Sequence, residues 1–225
     1  MIISKQILKY INNNNVKINN YFNHKKIINN ISATIIDNGY LSISDQKRLL
    51  TTRTFFKKKN FILIDRDGVL NLKNKNFRYV RNLSELKFNE VIISILKKYP
   101  NMKYICISNQ AGIATGEVKE IELKKINKAI QNYLKSKNIK LVDFFVSRDH
   151  FKSKSYLRKP NPGLFFKAAQ KYKILLDKTF YIGDDPRDVL ASYNANTKCV
   201  YIGKKNQLDF ISDYDIKNTI LKNLN

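Results

Sequence analysis

Two aspartates that follow an apolar stretch are the most chemically informative residues of this sequence. The segment FILIDRDG carries Asp65 directly after the apolar residues and Asp67 two positions later, before Gly68. Because side chains alternate along an extended chain, both carboxylates should point the same way. Two carboxylates held this close are unfavourable unless a cation lies between them or one of them is protonated. The spacing therefore predicts a divalent-metal site combined with an acid/base pair, whereas an Asp-rich turn that caps the next helix is the alternative.

Two further segments carry groups that suit a phosphate. The segment SNQAGIATG begins at Ser108 and continues with amide side chains and two glycines. It therefore offers hydroxyl, amide and backbone N–H donors to an anion. The segment LRKPNPG places Arg158 and Lys159 before a turn stiffened by proline, where a cation can face a phosphoryl group.

A second group of acids strengthens the prediction of a metal site. The segment GDDPRD gathers Asp184, Asp185 and Asp188 in a chain with only 18 acidic residues. If these acids share a crevice with Asp65 and Asp67, their hard oxygen ligands suit Mg²⁺.

The elements that would position these residues alternate between short apolar runs and helix-period stretches. Such alternation is typical of βαβ units and predicts an α/β fold with a doubly wound parallel sheet. The candidate strands are 61–65, 103–108, 141–147, 179–183 and 198–202, and the candidate amphipathic helices are 89–99 and 117–137. The polar segments come at or after the ends of these strands. In open sheets of this class, ligands bind beyond the carboxyl ends of the strands.

Residues 1–58 differ from the rest of the chain, since they are rich in Asn and lack proline. We expect an N-terminal appendage there, serving as an interaction element through which the chain forms a homodimer, and a catalytic domain over residues 59–225. The two cysteines, Cys106 and Cys199, lie in apolar runs, which indicates buried thiols without a chemical role.

The charge of the chain suggests a polyanionic partner at first. Lys and Arg number 42 against 18 acidic residues, a net charge of +24. The excess is spread along the chain, however, and no aromatic-plus-basic platform is recognisable, so nucleic acid is not favoured as a partner. The sequence has no run of about 18 apolar residues and no secretory signal, which predicts a cytoplasmic protein without a membrane partner.

Four motifs in a fixed order carry a family resemblance. The order DRDGVLN, SNQAGIATG, RKPNPG and GDDPRD resembles that of the haloacid dehalogenase superfamily of phosphatases. More narrowly, it resembles the subgroup of heptose bisphosphate phosphatases and histidinol-phosphatase domains. The similarity covers roughly residues 60–205. It implies a Rossmann-like core with a minimal cap or none.

The resemblance also implies roles for individual residues. Asp65 would be the nucleophile that forms an aspartyl-phosphate, and Asp67 the proton donor and acceptor. Mg²⁺ would bind the Asp65 carboxylate, the Asp67 backbone carbonyl and Asp184, with Asp185 as a further ligand or as support for the ligands. The phosphate-binding residues would be Ser108, Asn109 and Lys159, and the substrate-binding residues Gln110, Arg158 and Tyr79, with Arg78 beside Tyr79 as a further candidate.

One segment departs from the subgroup. Its members often carry a Cys/His zinc loop before the RKP motif, but SRDHFKSKSYL holds only His150 and no cysteine. Because structural zinc requires four ligands, we expect no zinc. The expected activity is Mg²⁺-dependent hydrolysis of a small sugar phosphate, of the heptose bisphosphate type used to make lipopolysaccharide precursors. The alternatives are a histidinol phosphatase, a polynucleotide 3′-phosphatase and a non-catalytic binding protein of the same fold.

Overall fold

The computed structural model describes residues 45–55, 59–74 and 79–204. A boundary between two compact units falls after Thr52, within helix α1 (Gln46–Phe55). The predicted division near residue 58 and the predicted role of the N-terminal segment stay predictions, because most of that segment lies outside the described residues. The fold discussed below belongs to the second unit.

Five parallel strands form one sheet in the order β3-β2-β1-β4-β5. This confirms the predicted α/β class and the predicted strands to within two residues. The strands are β1 (Phe61–Ile64), β2 (Lys103–Asn109), β3 (Lys140–Ser147), β4 (Phe180–Gly183) and β5 (Lys198–Tyr201).

Helices connect the strands. They are α2 (Glu90–Lys97), α3 (Glu120–Ser136), α4 (Gly163–Tyr172) and α5 (Pro186–Asn194), with short 3-10 turns at Leu83–Glu85 and Leu176–Lys178. The first two match the predicted amphipathic stretches. Helix α5 begins inside the segment GDDPRD, where Asp185 caps it, Pro186 fills the first turn and Asp188 completes a capping box. The motif that carries the predicted metal ligands is therefore also the start of a helix.

The two faces of the sheet are both covered, because alternate strand residues point to opposite sides. Ile64, Tyr104 and Cys106 lie in a core with residues of α2 and α3 such as Ile126. On the other face, Leu63, Ile105, Ile107 and Tyr181 lie in a core with Leu164, Phe165 and Ala168 of α4 and Ala191 of α5. The sheet is thus doubly wound.

The strand order changes direction at β1, which lies between β2 and β4. A crevice opens at such a switch point beyond the carboxyl ends of the strands. The N–H of Asp65 donates to the carbonyl oxygen of Ile182 at 2.9 Å, which fixes the end of β1 beside the end of β4. The loops after these two strands therefore meet. Within the described ranges, no helix is long and apolar enough to cross a membrane.

Candidate active site

A cavity of about 300 Å³ lies at this switch point. Its walls come from the loops after β1 and β4, the end of β2, the first turn of α5 and the loop that precedes α4. The lining residues are Asp65, Asp67, Lys73, Asn74, Tyr79, Ser108, Asn109, Arg158, Lys159, Asp184, Asp185, Arg187 and Asp188. All the sequence-predicted site residues except Gln110 are among them, and Arg78 lies outside the described residues.

Lys159 lies at the centre of a buried network, and only 3 % of its surface is exposed. Its Nζ lies 2.8 Å from Asp65 Oδ1 and 2.7 Å from Asp188 Oδ1. The same ammonium donates to the hydroxyl of Tyr181 at 2.8 Å and to the carbonyl oxygen of Ile107 at 3.0 Å. A buried cation with this many partners is held in one position.

The electrostatics of this network favour a charged Lys159 but disfavour the ionised form of Asp65 when no metal is bound. Burial raises the pKa of the Asp65 carboxyl and the charge of Asp188 raises it further, and although Lys159 lowers it, the pKa of Asp65 is raised to about 8. Burial by itself lowers the pKa of the Lys159 ammonium, but Asp188 and Asp65 outweigh burial and raise it above its ordinary value. A divalent cation next to Asp65 would favour its ionised form, which is the form that can act as a nucleophile.

Asp188 contacts both Tyr181 of the Lys159 network and the backbone of the loop after β4. Its Oδ1 accepts from the hydroxyl of Tyr181 at 3.0 Å. Its Oδ2 accepts from the backbone N–H groups of Asp184 and Asp185, each at 3.1 Å. Asp188 thus ties the loop after β4 to Lys159, which explains why so polar a side chain is buried.

The carboxylate of Asp67 accepts hydrogen bonds from three side chains. Asn71 Nδ2 donates to its Oδ1 at 2.9 Å, Gln110 Nε2 donates to its Oδ2 at 2.6 Å, and Arg66 Nη2 donates to its Oδ2 at 3.0 Å. Burial raises the pKa of Asp67, but the charge of Arg66 and the hydrogen bonds from Asn71, Gln110 and Arg66 outweigh burial and lower it. The resting form is therefore a carboxylate that can accept a proton.

Sequence reasoning missed Lys73, Asn74 and Arg187 on the cavity wall, and it also missed Arg66 behind the wall. Arg66 separates the two aspartates of the first motif and is completely buried. The alternation that points Asp65 and Asp67 into the crevice sends the residue between them towards the helices that cover the sheet. That alternation was a usable signal, because a charged residue at such a position needs buried partners.

Three carboxylates could together hold a cation. Asp65, Asp184 and Asp188 each offer an oxygen within 4.8 Å of the others. The Oδ1 atom of Asp184 is buried, and no donor in the described part of the chain reaches it. Such an oxygen fits a hard divalent cation. Because both oxygens of Asp188 already accept hydrogen bonds, Asp65 and Asp184 are the better ligands.

Asp185 lies outside this group of three carboxylates. Its oxygens accept from Arg187 Nε and Nη2, each at 2.7 Å, and from the backbone N–H of Arg187 at 2.9 Å. Burial raises the pKa of Asp185, but the hydrogen bonds from Arg187 outweigh burial and lower it to about 2. The structure does not bring its carboxylate to the other three, so its role as a metal ligand stays a prediction.

The predicted phosphate-binding residues meet around Lys159. Asn109 Nδ2 donates to the carbonyl oxygen of Lys159 at 2.9 Å, and Asn109 Oδ1 accepts from its backbone N–H at 3.0 Å. Asn109 thereby joins the end of β2 to the RKP loop. Ser108 lines the cavity beside it, and its Oγ accepts from Gln110 Nε2 at 2.8 Å.

The predicted substrate-binding residues fall into two groups. Tyr79 and Arg158 lie on the cavity wall. Gln110 does not line the cavity but is buried behind it, where it contacts Asp67, Ser108 and Arg66. These contacts indicate that Gln110 supports Asp67 and Ser108, and its predicted role in substrate binding stays a prediction. His150 lies in the loop between β3 and α4, and its Nδ1 accepts from the N–H of Lys152 at 3.2 Å.

Comparison with known proteins decides the family. A family model described as haloacid dehalogenase-like hydrolase matches residues 2–202. The chain belongs to this family. The match extends into the N-terminal segment, which the motif resemblance did not cover. The predicted family is thus confirmed, and so is the prediction that the chain is a phosphoric monoester hydrolase.

Members of the family with known names resemble the chain over most of their own length. The D-glycero-alpha-D-manno-heptose-1,7-bisphosphate 7-phosphatase of Photorhabdus laumondii is 30% identical over 155 residues, which are 63% of this chain and 80% of the relative. The D-glycero-beta-D-manno-heptose-1,7-bisphosphate 7-phosphatase of Helicobacter pylori strain J99 is 30% identical over 140 residues, with 61% and 79% covered.

A solved structure shares the fold. The D,D-heptose 1,7-bisphosphate phosphatase of B. bronchiseptica, crystallised with magnesium and phosphate, matches with a TM-score of 0.62 and 20% identity. The match covers 72% of this chain and 97% of that one. The chain therefore shares the fold of that protein over most of its length.

Proposed function

We propose that the chain is an Mg²⁺-dependent phosphatase that hydrolyses a phosphomonoester of a small sugar phosphate, of the heptose bisphosphate type, through an aspartyl-phosphate. The ion pair between Asp65 and Lys159 at 2.8 Å, beside the buried Oδ1 of Asp184, is the observation that carries the proposal. It combines a nucleophile, a cation for the phosphoryl oxygens and a ligand for a metal within one cavity. Phosphoryl transfer depends mainly on such positioning and charge neutralisation.

In the first step, an oxygen of Asp65 attacks phosphorus and the bond from phosphorus to the sugar oxygen breaks. The leaving oxygen takes a proton from Asp67, which the negative charge of the bound phosphate has favoured in its protonated form. Lys159 and the hydroxyl of Ser108 stabilise the charge that builds up on the transferring group.

In the second step, water attacks the phosphorus of the aspartyl-phosphate. Asp67, now a carboxylate, accepts the proton of that water, and the bond between Asp65 and phosphorus breaks. Inorganic phosphate leaves and Asp65 is regenerated. Asp67 lines the cavity two residues after Asp65 and can therefore serve in both steps.

Mg²⁺ would be held by Asp65 and Asp184, with the backbone carbonyl of Asp67 as a further ligand. It would neutralise phosphoryl charge and orient the phosphate for attack. The carboxylate oxygens of these residues are ligands that Mg²⁺ prefers.

The substrate class is supported by the relatives and by the size of the cavity. Both relatives described above are named for a heptose bisphosphate. A cavity of about 300 Å³ lies at the lower end of the range for small-molecule sites. A small sugar phosphate fits such a volume better than a polynucleotide end does.

The experiment is a phosphate-release assay on heptose bisphosphate, histidinol phosphate and a 3′-phosphorylated oligonucleotide, with Mg²⁺ and with EDTA. We expect the highest kcat/KM on the heptose bisphosphate, loss of activity in EDTA and no turnover by Asp65→Asn. Release from the other substrates alone would reject the substrate class. Absence of release from every substrate would support a non-catalytic binding protein.

A further inference from the structure

Arg66 is a fully buried cation, and neither metal binding nor phosphate binding explains why a charged side chain is buried at this position. Its residue surface is 0% exposed, and it does not line the cavity. Burying an unpaired guanidinium would cost several kcal/mol. Its partners must therefore offset this cost, and they show what Arg66 does.

The guanidinium contacts both oxygens of the Asp67 carboxylate. Its Nη2 lies 3.2 Å from Asp67 Oδ1 and 3.0 Å from Oδ2, and its Nε lies 3.3 Å from each oxygen. The same Nη2 donates to Oε1 of Gln110 at 2.9 Å. Gln110 in turn donates to Asp67, so the three side chains form a closed triangle.

The remaining nitrogen of Arg66 contacts a helix. Nη1 donates to Oδ1 of Asn127 at 3.1 Å, and Asn127 lies near the middle of α3. The buried residues of that helix, Leu123, Ile126, Ile130 and Leu134, anchor it to the core. Asn127 thus connects the guanidinium to a rigid element.

We propose that Arg66 and Asn127 are positioning residues that fix the carboxylate of Asp67 for proton transfer to and from the reacting groups. The proposal rests on the proposed function, because it takes Asp67 as the proton donor and acceptor. Proton transfer needs its heavy atoms within hydrogen-bond reach, and a small rotation of the carboxylate breaks that geometry. Asn71 and Gln110 restrict the carboxylate as well, but of these three described side chains Arg66 is the one that links it to α3.

The structure provides a matched pair of variants to test this. Asn127→Ala removes the amide that holds Arg66 and leaves a good helix former in its place. Gln131→Ala removes an amide one turn further along α3, whose Nε2 donates to the carbonyl oxygen of Leu141 at 3.2 Å, remote from Asp67. Both variants lose one side-chain hydrogen bond of α3, so a general effect on the helix would appear in both.

The readout is the dependence of kcat/KM on the leaving group, measured with phosphate monoesters from alkyl to nitrophenyl. The value of kcat/KM reports the step in which the ester oxygen leaves phosphorus. Poor leaving groups, such as alkoxides, depend most on a proton donated to that oxygen. Asp67→Asn sets the scale, with an expected loss of about 10²–10⁴-fold on alkyl esters and a smaller loss on nitrophenyl phosphate.

We expect Asn127→Ala to lower kcat/KM about tenfold on alkyl esters, equivalent to one hydrogen bond of about 1.4 kcal/mol. On nitrophenyl phosphate it should change little, and Gln131→Ala should change neither. Arg66→Lys keeps the charge but loses the planar fork, and it should lose more on alkyl esters than Asn127→Ala.

An equal loss on all esters, or no loss by Asn127→Ala on any of them, would overturn the proposal. Full activity of folded Arg66→Lys on alkyl esters would overturn it too. If Arg66→Lys does not fold, Asn127→Ala alone decides. A wild-type enzyme that hydrolyses no ester would instead reject the proposed function.

Discussion

Tyr181 contributes one hydroxyl group to the network around Lys159, and that hydroxyl can be removed without changing the core. The ring is fully buried against Phe165. The hydroxyl accepts from Lys159 and donates to Asp188. It therefore holds the ammonium in line with Asp65 without facing the cavity itself.

We predict that Tyr181→Phe lowers kcat about three- to tenfold and leaves KM nearly unchanged, because one buried hydrogen bond is worth about 1 kcal/mol. Steady-state kinetics on the preferred substrate measure both parameters. Tyr104→Phe is the control, since Tyr104 is also buried in the sheet, in β2, but donates to the carbonyl oxygen of Leu96 at 3.4 Å. Equal losses of kcat in the two variants would contradict a role specific to Lys159.

At the residue scale, the strand-end side chains of the site were predictable and their partners were not. Asp65, Lys159 and Asp184 stand in motifs of recognisable order, so their meeting in one crevice followed from the topology. The partners of Asp188 and Gln110 depend on side chains from three different strands and loops. Local spacing carries no information about such contacts.

A glycine in the loop after β1 allows this loop to approach the loop after β4 closely. Gly68 has φ +94, and a Cβ there would overlap the carboxylate of Asp184 from the loop after β4. Only glycine combines this backbone conformation with this close approach. The loop after β1 and the proposed metal ligand Asp184 are thus coupled sterically.

We predict that Gly68→Ala displaces Asp184 and raises the Mg²⁺ concentration for half-maximal activity by about 10- to 100-fold, the range for disturbed ligand support. A titration of activity with Mg²⁺ measures this. Gly116→Ala is the matched control, since Gly116 has φ +77 but a Cβ there meets nothing within 4 Å. Both variants should be destabilised by about 1 kcal/mol. An unchanged Mg²⁺ requirement in folded Gly68→Ala would refute the coupling.

At the element scale, the periodicity of apolar residues predicted the strands and the amphipathic helices but not helices α4 and α5. The strands and the long helix α3 have strong apolar patterns and were found. Helices α4 and α5 begin in segments rich in Pro, Gly and Asp, which also signal loops. These two helices are short, with 10 and 9 residues. Because each begins within or directly after one of the sequence motifs, the sequence alone did not reveal them as helices.

At the scale of the whole molecule, the chain carries a net charge of +24 although its candidate site contains several carboxylates. A cationic surface attracts anionic substrates over distances comparable to the Debye length, about 10 Å at 0.1 M salt. We predict that kcat/KM falls with rising NaCl while kcat stays constant, more steeply for a bisphosphate than for a monophosphate. Steady-state kinetics at several salt concentrations test this. Equal slopes for both substrates would show that the surface charge does not guide substrate.

The central claim is that Asp65 carries the phosphoryl group during turnover. The most direct test is to quench the enzyme rapidly with acid during turnover and to locate the phosphoryl group by peptide mass mapping. We predict a phosphorylated peptide that contains Asp65 in the wild-type enzyme and none in Asp65→Asn, which should also be inactive. A phosphoryl group on another residue, or full turnover by Asp65→Asn, would contradict the account.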